Sequence, residues 1–455
     1  MMILIAAPTV FVQSCQDNLD IAPNSSLIAS TAFRTVADLQ NALNSTYANY
    51  DNTTISFNSI FTDNTKVGID NGGQQLTLHR LVMDPSTGVA STIWITRYAM
   101  INQATRLIEA AATIDITGQE AVVNHILGQA YALRAFAHFE LFQYYTPDYL
   151  NASGLSVPAV DRVITIENLP RNTVAEVMAL IDADLTKAAT LLDNSQTNNK
   201  FVTNDFITAL RARVALFTGN YNDALGFANE LIAKYPLADA AQYQAMYLDA
   251  DNTEVIFKAA RVVGDFPPGF IWHFSGGGPF MEMSNSLFNI LDPNDVRFGV
   301  LFNIADSDPA NNLHKINRYP GTANQFLADI KVFRVSEMYL IKAEVELRNS
   351  QLDMAKATLK QLRDARFDTD TALPSFGDVD AGMDFLLQER RIELAYEGHR
   401  YLDLKRFGKN LERDMLDCAN LDNACELLST DPRFTLPIPL VELNANNLIT
   451  QNPGY

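Results

Sequence analysis

The run His125–Tyr145, HILGQAYALRAFAHFELFQYY, constrains the fold more than any other part of the chain because it is apolar on more than one face. Leu127, Tyr131, Phe139 and Phe142 form one stripe at helical spacing, and Ile126, Ala130, Leu133, Ala137 and Leu141 form another. A helix with two apolar stripes must lie between neighbours, as in stacked helices. Two later segments repeat a helix–turn–helix design. Phe206–Pro236 places the turn Gly219-Asn220-Tyr221 between two apolar runs, with Ala224, Ala228 and Leu231 small or apolar enough for close approach. Val335–Arg366 does the same around Asn349-Ser350, with Ala343 and Ala355. Upstream, Leu39, Leu43, Tyr47 and Tyr50 recur at helical spacing, and Ile95–Leu107 continues the pattern. Trp94 and His138 fall inside such patterns, so Trp94 is expected in the core and His138 as a core histidine with its hydrogen bonds met.

Both helix pairs resemble tetratricopeptide repeats, which are about 34 residues long. The expected fold is therefore mainly α, a helical repeat scaffold carrying long irregular loops and a few short β-strands. With 455 residues, the chain exceeds what one compact core usually serves. We divide it at 15–250 for an N-terminal helical part, 251–330 for a loop-rich part and 331–455 for a C-terminal part. Ser56–Ser91 and Asp249–Pro320 are rich in Gly, Asn, Asp, Pro and aromatics and show weak periodicity. Loops that long in a compact protein usually carry function. A short strand is expected at Glu254–Ala259.

The formal net charge is −19, and no Lys/Arg-rich run interrupts it. A field of that sign repels nucleic-acid phosphates, so no nucleic-acid partner is expected. Met1–Val12 is almost wholly apolar, yet twelve helical residues span about 18 Å against a hydrocarbon core of about 30 Å. Residues 1–14 thus read as a secretory signal. The first basic residue is Arg34, so the signal is atypical or its start lies upstream. Cys418 and Cys425 are separated by a stretch containing Asn420, Asp422 and Asn423. A disulfide needs Cα atoms within about 7 Å, which a turn at those residues would supply and a continuous helix would not.

Glu389–Gly408, ERRIELAYEGHRYLDLKRFG, packs acids, bases and a histidine together. Glu389, Glu393 and Glu397 stack at i, i+4 and i+8, an arrangement that repels itself unless cations face it. The interleaved Arg390, Arg391 and Arg400 are the nearest supply, and Gly398 reads as the helix C-cap. The segment is expected to be a salt-bridged joint rather than a catalytic or metal site.

No HExxH, Walker A or GxSxG motif is present, and the six histidines show no metal-ligand spacing. Gly276-Gly277-Gly278 lacks the strand-before, helix-after context of a phosphate cradle. No catalytic residue, cofactor or metal is therefore assigned, although the acidic loop Asp249–Asp251 leaves a cation open. The loops do offer sugar-compatible chemistry, since flat aromatic faces stack on pyranose rings while Asn, Gln, Asp and Arg hydrogen-bond hydroxyls. Trp272 is the first platform candidate, flanked by Phe270, His273, Phe274 and Phe280; its alternative is burial beneath its own loop. Tyr319 and the pair Asp63-Asn64 are further ligand candidates, with Asp63 equally suited to structuring its loop.

Several motifs point to one family. The segment Glu389–Gly408 and the closing run FTLPIPLVELNANNLITQNPGY resemble the C-terminal signature of the SusD/RagB family of outer-membrane nutrient-uptake lipoproteins. Val12-Gln13-Ser14-Cys15 resembles a lipobox, QDNLDIAP is similar to the family's post-cysteine segment, and DPNDVRF at Asp292–Phe298 matches as well. The resemblance implies lipidation at Cys15 and export to the cell surface, which Asp17 and Asp20 fit. It implies a non-enzymatic protein that binds oligosaccharides, less often peptides, and passes them to a SusC-like TonB-dependent outer-membrane transporter. The alternative is a surface scaffold whose repeat grooves bind a peptide or protein. Family ligand contacts come from variable loops, so the resemblance carries over no binding residue.

Overall fold

The computed structural model describes residues 32–273, 278–321, 326–418 and 425–455. Met1–Thr31, with the signal, Asp17, Asp20 and Cys15, lies outside the described residues, as do Phe274, Gly276, Gly277, Asn420, Asp422 and Asn423. The principal helices are α1 (Val36–Ala48), α2 (Thr53–Ile60), α3 (Gly88–Ala111), α4 (Glu120–Tyr145), α5 (Val174–Leu191), α6 (Asn204–Phe217), α7 (Tyr221–Ile232), α8 (Val335–Arg348), α9 (Leu352–Phe367), α10 (Val379–Glu393) and α11 (Arg400–Phe407). Consecutive members from α3 to α5 pack side by side, as do α6 to α9, and α10 leans on α8. None of the described helices is long and apolar enough to cross a membrane.

The local reasons are legible. Thr35 and Asp38 close a capping box on α1, and Thr173 and Glu176 close one on α5. Each satisfies backbone donors that a helix start leaves open. Nearly every residue of α4 from Gly128 onward is buried, as a helix with two apolar stripes requires. The expected helix pairs are α6/α7 and α8/α9, with Ala224, Ala228, Leu231, Ala343 and Ala355 buried at the contacts. Gly219 turns the chain between α6 and α7 at φ +77°, a conformation that favours glycine.

Trp94 and His138 occupy the core, as their patterns imply. Trp94 packs on Tyr98 and Tyr145 at ring distances of 4.8 and 4.9 Å. His138 sits 2.9 Å from the Arg134 carbonyl through Nδ1 and accepts the Val160 N–H at Nε2. Burial pushes its pKa down to about 3, so the ring is neutral.

Among the described residues, three two-stranded antiparallel ribbons complete the fold. The strands are β1 (Thr65–Val67), β2 (Val255–Ala259), β3 (Met281–Met283), β4 (Ile330–Arg334), β5 (Leu411–Glu412) and β6 (Glu426–Leu427), paired β1–β3, β2–β4 and β5–β6. β2 coincides with the expected strand, whereas the two loop segments are more ordered than their weak periodicity implies: besides β1 and β3 they hold helical turns such as Leu76–His79, Phe270–His273 and Val296–Leu301. Cys418 and Cys425 are joined in a disulfide with Cα atoms 5.3 Å apart.

The acidic stripe is a buried joint, but its cations differ from the expected ones. Glu393 meets Arg334, Arg366 and Arg297 at 2.8, 2.9 and 3.2 Å. Glu389 pairs with Arg297 and Arg363, and Glu397 with Arg334 and Arg318. The neighbouring arginines turn away: Arg390 holds Asp403, while Arg391 and Arg400 hold Asp63. The helix itself stops at Glu393, with Leu394 as its cap, so Gly398 at φ +88° belongs to the connector before α11. In DPNDVRF, Asp295 caps the Val296–Leu301 turn and grips Arg297, aiming it at Glu389 and Glu393.

Candidate functional site

The ribbon β1–β3 brings the two loop segments together. Thr65 pairs with Met283 and Val67 with Met281. Beyond the ribbon, Gly68 donates its N–H to the Phe280 carbonyl at 2.9 Å, and the Asn71 amide donates to the carbonyls of Phe280 and Gln74 at 2.7 Å each. A Cβ at Gly68 would lie 2.1 Å from the Pro279 carbonyl oxygen, so only glycine lets the two backbones approach this closely. The strap sets Gly73–Leu78 across from Phe266–Ile271.

Between them, with the start of α2 and the start of α3, lies a cleft of about 900 Å³. One side is phenyl. Phe266, 58% exposed, meets Phe270 at a ring distance of 5.3 Å, and Phe270 meets Phe280 at 5.9 Å. The successive ring planes are inclined by 65° and 59°, so the wall curves instead of forming a flat platform. The rest of the lining mixes apolar Leu76, Leu78, Val89 and Ile271 with polar groups: Asn52, Gln74, Gln75, Thr77, Ser86 and Thr92 present amides and hydroxyls. Gln74 and Gln75 are exposed.

The aromatic cluster of the sequence thus splits into two parts. Phe270 and Phe280 line the cleft, half-buried. Trp272 does not serve as a platform: it is 1% exposed, donates its Nε1–H to the Arg318 carbonyl at 2.8 Å and packs between Tyr319 and Tyr396. Tyr319 is equally buried, with its hydroxyl on the Tyr396 carbonyl at 3.2 Å. His273 lies 2.7 Å through Nε2 from the same Arg318 carbonyl, which can only accept, and stacks on Phe326; burial lowers its pKa. Trp272, His273 and Tyr319 therefore anchor the wall from behind. Phe274 lies outside the described residues.

Asp63 and Asn64 are not in the cleft either. Both are buried, Asp63 against Arg400 at 2.7 Å and Arg391 at 3.4 Å, Asn64 accepting from Arg391 Nε at 3.0 Å. Burial alone would raise the Asp63 carboxyl, but the two guanidinium groups outweigh it and hold it well below the usual carboxylate range. Its role is to fix the loop before β1, the alternative weighed from sequence.

The residues missed from sequence are Phe266, Gln74 and Gln75. Their signal was present: Phe266 opens the stretch FPPGF, whose two prolines bar a helix there, and Gln74-Gln75 follow a glycine pair in a loop already singled out.

Among the described residues, the cleft has two carboxylates, Asp51 and Asp84. Asp51 pairs with buried Arg97 at 3.4 Å. The Ser86 hydroxyl and N–H hold Asp84 below its ordinary pKa. Asp84 therefore does not retain a proton near neutrality for general-acid work. Among the described residues, no group of three His, Cys, Asp or Glu side chains could hold a metal ion. Asp249 of the acidic loop is occupied by Lys331 and the Asp329 N–H.

Comparison with known proteins agrees with this architecture at both ends. Residues 313–455 match the profile described as SusD family, and residues 17–216 match the one described as starch-binding associating with outer membrane. The chain is SusD-like at both ends. SusD-like protein P2 of Formosa agariphila is 26% identical over 97% of each chain. A SusD superfamily protein from Bacteroides vulgatus superposes with a TM-score of 0.79 at 25% identity, covering 93% of this chain and 100% of the other. A laminarin binding SusD-like protein shares the fold at a TM-score of 0.73 and 19% identity, covering 93% and 100%. The SusD fold thus accounts for the helical scaffold, and the cleft is built on its loops.

Proposed function

We propose that this protein is a glycan-capture lipoprotein, held on the cell surface by lipid at Cys15. It binds an oligosaccharide in the Phe266–Phe270–Phe280 cleft and delivers it to a SusC-like TonB-dependent transporter. The observation that carries the reading is the composition of the cleft, a curved phenyl wall facing amides and hydroxyls. Pyranose rings present apolar C–H faces and a rim of hydroxyls, the complement of such walls. A cleft of about 900 Å³ is at the upper end of small-molecule pockets, room for several sugar units. The family descriptions, which speak of starch binding and of association with the outer membrane, point in the same direction.

Burying about 80 Å² of apolar area on one ring contributes about 2 kcal/mol. Two such rings and a few net hydrogen bonds of about 1 kcal/mol each must offset the cost of association. The balance is about −4 to −8 kcal/mol, millimolar to micromolar affinity. That range suits a protein that hands its cargo on.

Calorimetry of the purified protein against a panel of oligosaccharides tests the reading. Binding in that range is expected for at least one glycan, with Phe266→Ala weakening it by about 1–2 kcal/mol. Absence of binding across the panel, or an unchanged Phe266→Ala, overturns the assignment. Shortened products after incubation would overturn its non-enzymatic part.

A further inference from the structure

The cleft also has a charge pattern, which narrows the ligand if the glycan reading above holds. Among the described residues, its lining contains two carboxylates, Asp51 and Asp84, and no Lys, Arg or His. None of the residues outside the described set is Lys, Arg or His either, so they supply no basic side chain to the cleft. Arg97, the partner of Asp51, is fully buried and directed mainly at Glu140. Asp84 is exposed, its carboxylate accepts from the N–H and hydroxyl of Ser86 in its own turn, and it is ionised at neutral pH. Every other polar lining group is an uncharged amide or hydroxyl. The net charge of −19 adds a field of the same sign.

We propose that the cleft selects uncharged oligosaccharides and turns away chains bearing uronate or sulfate. An anionic sugar entering here brings a second negative charge beside Asp84, against phenyl walls that replace its water with nothing. No cationic donor takes over that hydration, whereas sulfate and carboxylate recognition ordinarily relies on Arg or Lys. A neutral chain presents hydroxyls, which the Asp84 carboxylate, Gln74 and Gln75 can bond without such a cost. Specificity arises from repulsion of the wrong ligand as much as from attraction of the right one.

The test compares a neutral oligosaccharide that binds in the panel with its chemically sulfated form, and with uronate chains of matched length, by calorimetry at low and high salt. The anionic forms are expected to bind about tenfold more weakly or worse at low salt, with a gap that narrows at high salt as the charges are screened. Asp84→Asn should narrow the low-salt gap, and Asp84→Lys should reverse it for the sulfated ligand. Anionic binding equal to neutral binding, abolished by Phe266→Ala, overturns the charge selectivity while leaving the cleft as the glycan site. A gap indifferent to salt and to Asp84→Lys also overturns it. If no oligosaccharide of either kind binds, the glycan reading falls and this inference with it.

Discussion

Phe266 and Trp272 stand on one loop and do opposite work. Trp272 fills the space between Tyr319 and Tyr396 and bonds the Arg318 carbonyl, so truncating it leaves a cavity and takes from that carbonyl one of its two donors, His273 remaining. Trp272→Ala is expected to cost about 3–5 kcal/mol of stability. Phe266→Ala, at an exposed ring, should leave the stability within about 0.5 kcal/mol of wild type while weakening ligand binding. Thermal unfolding and calorimetry on the two variants check the contrast; a stable Trp272→Ala that loses binding would return the platform to Trp272. The sequence shows that aromatics gather at Phe266–Phe280 but not which ring faces outward. That depends on Tyr319 and Tyr396, which reach the back of the wall from segments far downstream in the chain. Asp63 teaches the same lesson, since its exposure is decided by Arg391 and Arg400 at the far end of the chain.

Among the elements, helices were readable where periodicity runs long, as in α4, α6/α7 and α8/α9, because one apolar stripe reports each packed face. The three-residue strands β1 and β3 carry too few positions to show a period, and their pairing joins segments distant in the chain. That ribbon nevertheless fixes the cleft. Gly68→Ala puts a methyl against the Pro279 carbonyl, where backbone must shift. A destabilisation of about 1–3 kcal/mol is expected, together with weaker glycan binding as the Asn71–Phe280 strap loosens. Wild-type affinity and midpoint in Gly68→Ala would show that the strap does not position the cleft. The stripe Glu389, Glu393 and Glu397, which runs from α10 into the connector after it, is equally visible, yet its partners Arg297, Arg318, Arg334 and Arg366 lie on other elements, beyond the reach of spacing rules.

At the scale of the whole molecule, those ion pairs tie the loop-rich segment, through Glu254, Arg297 and Arg318, to α9, α10 and the connector that follows α10. Burial alone would raise the Glu393 carboxyl, but Arg366, Arg334 and Arg297 outweigh it and hold the group far below the usual carboxylate range. Glu344 is similarly lowered to about 2, burial being outweighed by Arg406 and Arg348. A carboxylate whose folded pKa is depressed binds fewer protons folded than unfolded, so its stabilisation is present above the unfolded value and lost as pH falls through the folded one. For these groups the loss begins near the ordinary value of 4.5 and, for Glu344, continues to about 2. Asp184 and Asp417, raised by burial, oppose the trend but face fewer cations. The unfolding midpoint should therefore fall steeply as pH drops below about 4.5. Replacing a whole buried cluster by apolar groups can be neutral, but removing one partner strands the rest. Glu393→Gln leaves Arg334 and Arg366 short of a counter-charge, and is expected to cost about 3–5 kcal/mol at neutral pH. The variant should also show a flatter acid-side slope, since the missing carboxylate no longer titrates on unfolding. Thermal melts of wild type and Glu393→Gln across that pH range decide the matter: parallel slopes would mean that the acid sensitivity resides elsewhere, and an unchanged neutral midpoint would mean that the arginines find counter-charge enough in Glu254, Glu389 and Glu397.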